Sequence, residues 1–195
     1  MKILLLLAAL GLLAGCRLTS TEVEPALPVG PVSSSATLVY RANGVPIVAN
    51  NALNLGTFLI AIFGDPRAVV AKFPTGGNLL LRGSDVHNQP VGYLTHSLTL
   101  ELPAFHGAGA YSLLPASPQA YPTSYYYLTT YDGAGHPLDH AEQYPAASAP
   151  AQVIVTDWNP VSRHLAGTFA LDVAGPNNPQ IPSHLTEGSF DLIVD

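Results

Sequence analysis

The side chains best suited to chemistry crowd into one stretch, Ala120 to Gln143 with Tyr144 added. Six of the nine tyrosines lie there: Tyr121, Tyr125, Tyr126, Tyr127, Tyr131 and Tyr144. Asp132, His136, Asp139, His140 and Glu142 lie among them. Three kinds of chemistry suit this set. His136 and His140 flank Asp139 at an i, i+4 spacing, which on a helix would turn both imidazoles to one face for a metal. Gly135 and Pro137 favour a loop instead, and zinc needs three or four converging ligands. Asp132 with Asp139 or Glu142 could serve acid–base catalysis, given a defined separation and one raised pKa. On an extended strand, Tyr125 and Tyr127 share one side and Tyr126 takes the other. Exposed Tyr rings beside polar groups suit flat hydroxylated ligands such as glycans, or a protein partner. A plainer reading stands beside these: Tyr126 and its neighbours fill the core, and the rest decorate an edge and a long loop.

Outside that stretch the chemistry is sparse. Trp158 sits in Asp157-Trp158-Asn159-Pro160, a predicted hairpin turn. Exposed there, it would be a binding anchor; folded back, it would be core. The candidate binding set is therefore Tyr125, Tyr127, Tyr131, His136, His140 and Trp158. His87, His96, His106, His164 and His184 are scattered singly and read as exposed or hydrogen-bonded. There is no G-x-S-x-G elbow, H-E-x-x-H, P-loop, dinucleotide fingerprint or EF-hand loop, so no cofactor is expected. The formal net charge of −6 speaks against a nucleic-acid partner. With 48% hydrophobic residues the chain is too apolar for global disorder. One cysteine excludes an intrachain disulfide framework.

The elements that must position these residues read as strands. Leu98, Leu100 and Leu102 alternate with Ser97, Thr99 and Glu101, the mark of a half-buried strand. Leu165, Gly167, Phe169, Leu171 and Val173 alternate with Ala166, Thr168, Ala170 and Asp172. Phe190, Leu192 and Val194 repeat the pattern at the end of the chain. Gln152 to Asp157 is rich in β-branched residues. Further strands are predicted at Leu38–Arg41, Val45–Ala49, Thr57–Phe63, Asn78–Arg82, Ala110–Leu113 and Ser124–Thr130. Asn43-Gly44, Gly64-Asp65-Pro66, Gly76-Gly77, Asp132-Gly133 and Gly175-Pro176 supply turns. The best helical candidate, Asn50–Ile62, is interrupted by Asn54 and Gly56. Many short strands with frequent turns predict an all-β, antiparallel sandwich or barrel over residues 37–195. Gly167 and Gly188 sit beside strand aromatics, where a missing side chain lets a ring lie over the backbone.

The beginning of the chain reads differently. Lys2 precedes the apolar run Ile3–Ala14, which is shorter than the ~20 residues a spanning helix needs and suits a secretory signal. The run ends in Leu13-Ala14-Gly15-Cys16, which resembles a bacterial lipobox. That resemblance implies removal of residues 1–15 and lipidation of Cys16, firmly anchored if more than one acyl chain is attached. Arg17 stands where an inner-membrane retention Asp would be, which points to the outer membrane. Residues 16–36, with Pro25, Pro28, Pro31 and Ser33-Ser34-Ser35, form an expected flexible tether of up to roughly 60 Å.

Four stretches carry a wider likeness: Asn43–Ala49, Leu98–Leu113, Val153–Val173 and Thr186–Val194. On these the chain resembles small all-β lipoproteins of unknown function found in Bacteroidetes-type bacteria. It departs from them with Ile47 where a Trp is common, and its Tyr/His-rich middle is outside their pattern. The resemblance implies the fold and the anchor, and no activity. The expectation is a membrane-anchored envelope protein with a non-catalytic binding or structural domain. The competing expectation is a hydrolase or metal-dependent enzyme built on residues 120–144.

Overall fold

The computed structural model describes residues 36–51, 67–74, 76–113, 115, 123–146, 151–175 and 178–195. Cys16, the tether, Tyr121, the strand predicted at Thr57–Phe63 and the helical candidate Asn50–Ile62, apart from its first two residues, lie outside them. Among the described residues there are eleven β-strands and no helix. They are β1 (Thr37–Ala42), β2 (Val45–Asn50), β3 (Val69–Lys72), β4 (Leu79–Asn88), β5 (Tyr93–Leu102), β6 (Gly109–Ser112), β7 (Tyr125–Tyr131), β8 (Pro137–Pro145), β9 (Gln152–Asn159), β10 (His164–Gly175) and β11 (Asn178–Ile193).

Every pairing is antiparallel. One layer runs β6-β9-β10-β11-β1-β2 and the other β3-β4-β5-β7-β8. They meet where β8 pairs with the far end of β10, Val173 opposite Pro145 and Ala174 opposite Tyr144. Among the described residues the sheet does not close into a barrel, and the two layers face each other as a sandwich-like domain. Several strands are longer than the sequence suggests: β10 has 12 residues and β11 has 16. β11 also carries a bulge. Its register against both neighbours slips between Leu185 and Ser189, where Glu187 has φ 53°.

Alternation builds the core. Leu98, Leu100 and Leu102 of β5 are fully buried, as are Leu79 and Leu81 of β4. From the other layer come Leu38, Tyr40, Ile47, Val153, Leu165, Phe169 and Phe190. Each fully buried leucine contributes roughly 1.5–3 kcal/mol through lost water contact. Asn43-Gly44 turns β1 into β2 as a two-residue loop with φ 50° and 83°, values that fit the right-handed strand twist.

The two ends of the open seam are stitched by side chains. Asn51, just past β2, donates to the Val69 carbonyl and accepts from the Val69 N–H, both at 2.7 Å. The Asp85 carboxylate on β4 accepts the Val48 N–H of β2 at 2.9 Å.

Two glycines explain how β10 and β11 hold large rings. Gly167 pairs with Phe190 and Phe169 pairs with Gly188. A Cβ on Gly188 would stand 2.5 Å from the Phe169 ring, and one on Gly167 would stand 2.4 Å from the tip of Phe190. Each ring lies over the opposite strand's glycine. Gly188→Ala is therefore expected to cost about 1–3 kcal/mol, read from urea unfolding midpoints. Gly133→Ala, with nothing within 4 Å of its Cβ, should stay within about 0.5 kcal/mol of wild type.

Candidate functional site

The outward face of the β3-β4-β5-β7-β8 layer is polar and aromatic. Register arranges it in rows across the strands. Arg82, Thr99 and Tyr125 form one row. Ser84, Ser97, Tyr127 and Glu142 form the next, followed by Thr95, Thr129 and His140, then Tyr93 and Tyr131. A cleft of about 540 Å³ lies over these rows. Its floor is Thr95, Ser97 and Thr129, and its walls are Tyr125, Tyr127, Tyr131 and His140.

The walls are held by contacts to one another. The rings of Tyr125 and Tyr127 stack at 4.4 Å with 22° between planes. His140 meets Tyr127 edge-on at 4.9 Å, and its Nδ1 shares a 2.8 Å hydrogen bond with Thr129 Oγ1. Tyr131 stacks on Tyr93 at 5.1 Å. The Tyr127 hydroxyl donates to Glu142 Oε1 at 2.6 Å. Burial, then this bond to a carboxylate, pushes the Tyr127 phenol well above its ordinary value. Hydroxyl donation from Tyr127 and Tyr144 holds the Glu142 carboxyl below its own. The result is a neutral phenol aimed at an ionised carboxylate beside a bed of small hydroxyls. Thr99 Oγ1, in the adjoining row, is buried with no hydrogen-bond partner among the described residues.

The strand β8 corrects the expectation of a long loop after Thr130. Its residues from Pro137 to His140 are exposed, so the burial alternation that marks a strand is missing there. Of the six candidate residues, the fold brings Tyr125, Tyr127, Tyr131 and His140 into one cleft. His136 belongs to the β7–β8 turn. Its N–H donates to Asp132 Oδ1 at 2.8 Å, and its ring lies 3.1 Å from Oδ2. Trp158 lies elsewhere, at the end of β9, folded against Phe105 at 5.4 Å and Phe73 at 6.0 Å. Tyr126 points into the core, 1% exposed.

The rival chemistries find little geometry. Asp139 pairs with Thr130 and Glu142 with Tyr127, so alternation puts them on opposite faces of β8. The oxygens of Asp132 serve its own turn. Among the described residues no three His, Cys, Asp or Glu side chains gather to hold a metal.

A second polar cluster, missed in the sequence, closes one end of the core. His96 Nδ1 sits 2.6 Å from the Tyr126 hydroxyl. Its ring lies 5.0 Å from that of His87, whose Nε2 is 3.0 Å from Asp85 Oδ2. The signal was there: His96 stands two residues before Leu98 and shares its inward face. Burial, then the neighbouring His87, lowers the His96 pKa from 6.5 to about 4. His96 is thus neutral in the fold, and Nδ1 can accept the Tyr126 proton.

No family model, curated protein or solved structure matches the chain.

A depressed histidine pKa favours the folded state above the unfolded value of 6.5, and that advantage fades as pH falls toward about 4. In that window the unfolded chain takes up a proton that the folded one refuses. His96→Gln keeps a hydrogen-bonding group and removes the titration. Urea midpoints between pH 7 and pH 4 should fall less steeply for His96→Gln than for wild type. Equal slopes would assign the acid sensitivity to other groups.

Proposed function

We propose that the chain is a lipid-anchored protein of the bacterial cell envelope, attached through Cys16 to the outer membrane. We propose further that its β-sandwich domain is a non-catalytic glycan-binding module. The observation that carries the binding reading is the cleft itself: stacked Tyr125 and Tyr127 standing beside a floor of Thr95, Ser97 and Thr129 hydroxyls. A sugar presents apolar C–H faces and a ring of hydroxyls. Aromatic walls suit the first, and paired donors and acceptors suit the second. His140 adds a ring nitrogen to the wall, and Glu142 fixes the Tyr127 hydroxyl, so orientation is set by few polar groups. The site faces outward from a rigid sheet, so little ordering entropy is lost on binding.

The anchor reading is supported by Leu13-Ala14-Gly15-Cys16 after a short apolar run, and by the likeness to all-β lipoproteins. The residues before Thr37 lack the periodicity of a folded element and suit a tether between lipid and domain.

The chain carrying Tyr125→Ala and Tyr127→Ala should lose retention on an array of immobilised polysaccharides. Its melting temperature should stay within about 4 °C of wild type, because the rings lie outside the core. Unchanged retention would overturn the binding reading. For the anchor, Cys16→Ala should leave the protein without lipid and release it from membranes in a high-salt wash. Persistence of that variant in washed membranes would overturn the anchor.

A further inference from the structure

One end of the sandwich, away from the Tyr cleft, combines three features. The first is a cluster of aromatic rings. Phe73, Phe105 and Trp158 contact one another with centroids 5.4–6.0 Å apart. Phe73 is 41% exposed, and Trp158 and Phe105 are half-buried. Val161, in the turn between β9 and β10, is 93% exposed, and Ile193 is 55% exposed. Phe105 and Trp158 pack against the margin of the core, and Phe73, Val161 and Ile193 extend the apolar surface outward from them.

The second feature is where the chain enters. Register puts Thr37 opposite Asp191, Ile193 opposite His164, and His164 opposite Asn159, the neighbour of Trp158. Ala36, the first described residue, lines a small hollow with Arg67, Ile193 and Asp195. The segment leading back to Cys16 therefore joins the domain at this same end.

The third feature is charge. The described residues include five Lys and Arg side chains, and Arg67, Lys72 and Arg163 are at this end. Lys72 directly precedes Phe73, and Lys72 and Arg163 are exposed. The acidic groups nearby are engaged. Asp195 pairs with Arg67. Asp157 and Asp191 lie 3.0 and 2.9 Å from the two nitrogens of His164. Glu101 is bonded to Asn78. Among the other described residues, the six acids Asp85, Asp132, Asp139, Glu142, Asp172 and Glu187 outnumber the two arginines, Arg41 and Arg82. An acidic body thus ends in a less acidic face, where Lys72 and Arg163 are exposed beside the aromatic cluster.

We infer that this end is a lipid-contacting face that lies against an anionic bilayer, with Phe73 and Trp158 at headgroup depth and Lys72 and Arg163 on the lipid phosphates. Aromatic rings settle at the membrane interface because one edge is apolar and the other tolerates water. Lysine and arginine gain from anionic headgroups within a Debye length, while the acidic remainder of the domain is repelled. The face would also orient the domain, with its Tyr cleft on an outer sheet face away from the lipid. The inference rests on the anchor reading only for bringing the domain to the bilayer.

The chain has a single tryptophan, so its fluorescence reports this end alone. The full chain with Cys16 intact is mixed with vesicles of phosphatidylcholine and phosphatidylglycerol carrying bromine near the headgroup. Vesicle attachment is measured in parallel by co-sedimentation, and lipid on Cys16 by mass. Trp158 emission should be quenched by roughly half on anionic vesicles, as expected for a ring at the interface. The quenching should weaken in high salt and in a Lys72→Glu/Arg163→Gln variant whose circular dichroism matches wild type. Attachment with unquenched Trp158 would overturn the inference and leave the anchor intact. An unlipidated chain that still shows quenching when anionic vesicles are added in excess would overturn the anchor and support the inference. A chain showing neither attachment nor quenching overturns both. Self-association that shields Trp158 without vesicles would assign the face to a second copy and overturn the lipid reading.

Discussion

The domain depends on the reciprocal packing of two phenylalanines over two glycines along β10 and β11. Phe169 covers Gly188 and Phe190 covers Gly167. β10 is also the strand on which the architecture turns. It pairs with β11 and β9 in one layer, and its far end pairs with β8 of the other. A strand that bears both layers must keep one register, since a slip by a single residue would turn its apolar side to water. Ring over glycine fixes that register sterically, because a Cβ at either glycine position would enter a ring or a carbonyl oxygen.

With the inner faces fixed this way, the outer face of the second layer is free to be polar. Its rows of Ser, Thr and Tyr side chains follow from strict alternation opposite Leu98, Leu100 and Leu102. The same alternation sends Tyr126 inward against Tyr40 at 6.2 Å while its two neighbours stack outside. Core and cleft are two sides of one strand, so the cleft inherits the rigidity of the core. The buried hydroxyl of Tyr126 in turn requires His96 as partner, which brings a titratable group to the edge of an apolar interior.

How much of this was readable in the sequence depended on contrast between alternate positions. Where one side is leucine and the other polar, as at residues 97–102, the strand and its inward face are plain. Asn43-Gly44 announced its hairpin for a conformational reason, and Tyr125 and Tyr127 fell on one side as their spacing requires. Contrast fails in β8, whose first residues are exposed on both sides, so a strand looked like loop. It also fails in β11, where the bulge near Glu187 shifts the phase of the alternation. Gathering of residues distant in sequence was beyond reach. The stacking of Tyr93 on Tyr131, the meeting of His87 with His96, and the folding of Trp158 onto Phe73 and Phe105 come from strand pairing and the closing of layers. No local pattern encodes them.

The Asn51 stitch has a consequence for how copies of the protein tolerate one another. Unpaired strand edges recruit other chains. Here Asn51 offers a peptide-like amide to both polar groups of Val69, and Asp85 takes the N–H of Val48. Three peptide groups at the seam between β2 and β3 are thereby satisfied by side chains. At the far edge of the β2 layer, β6 is only four residues long, too brief to template much. The peptide groups of Val48 and Val69 are thus withdrawn from any strand that another copy of the chain might offer.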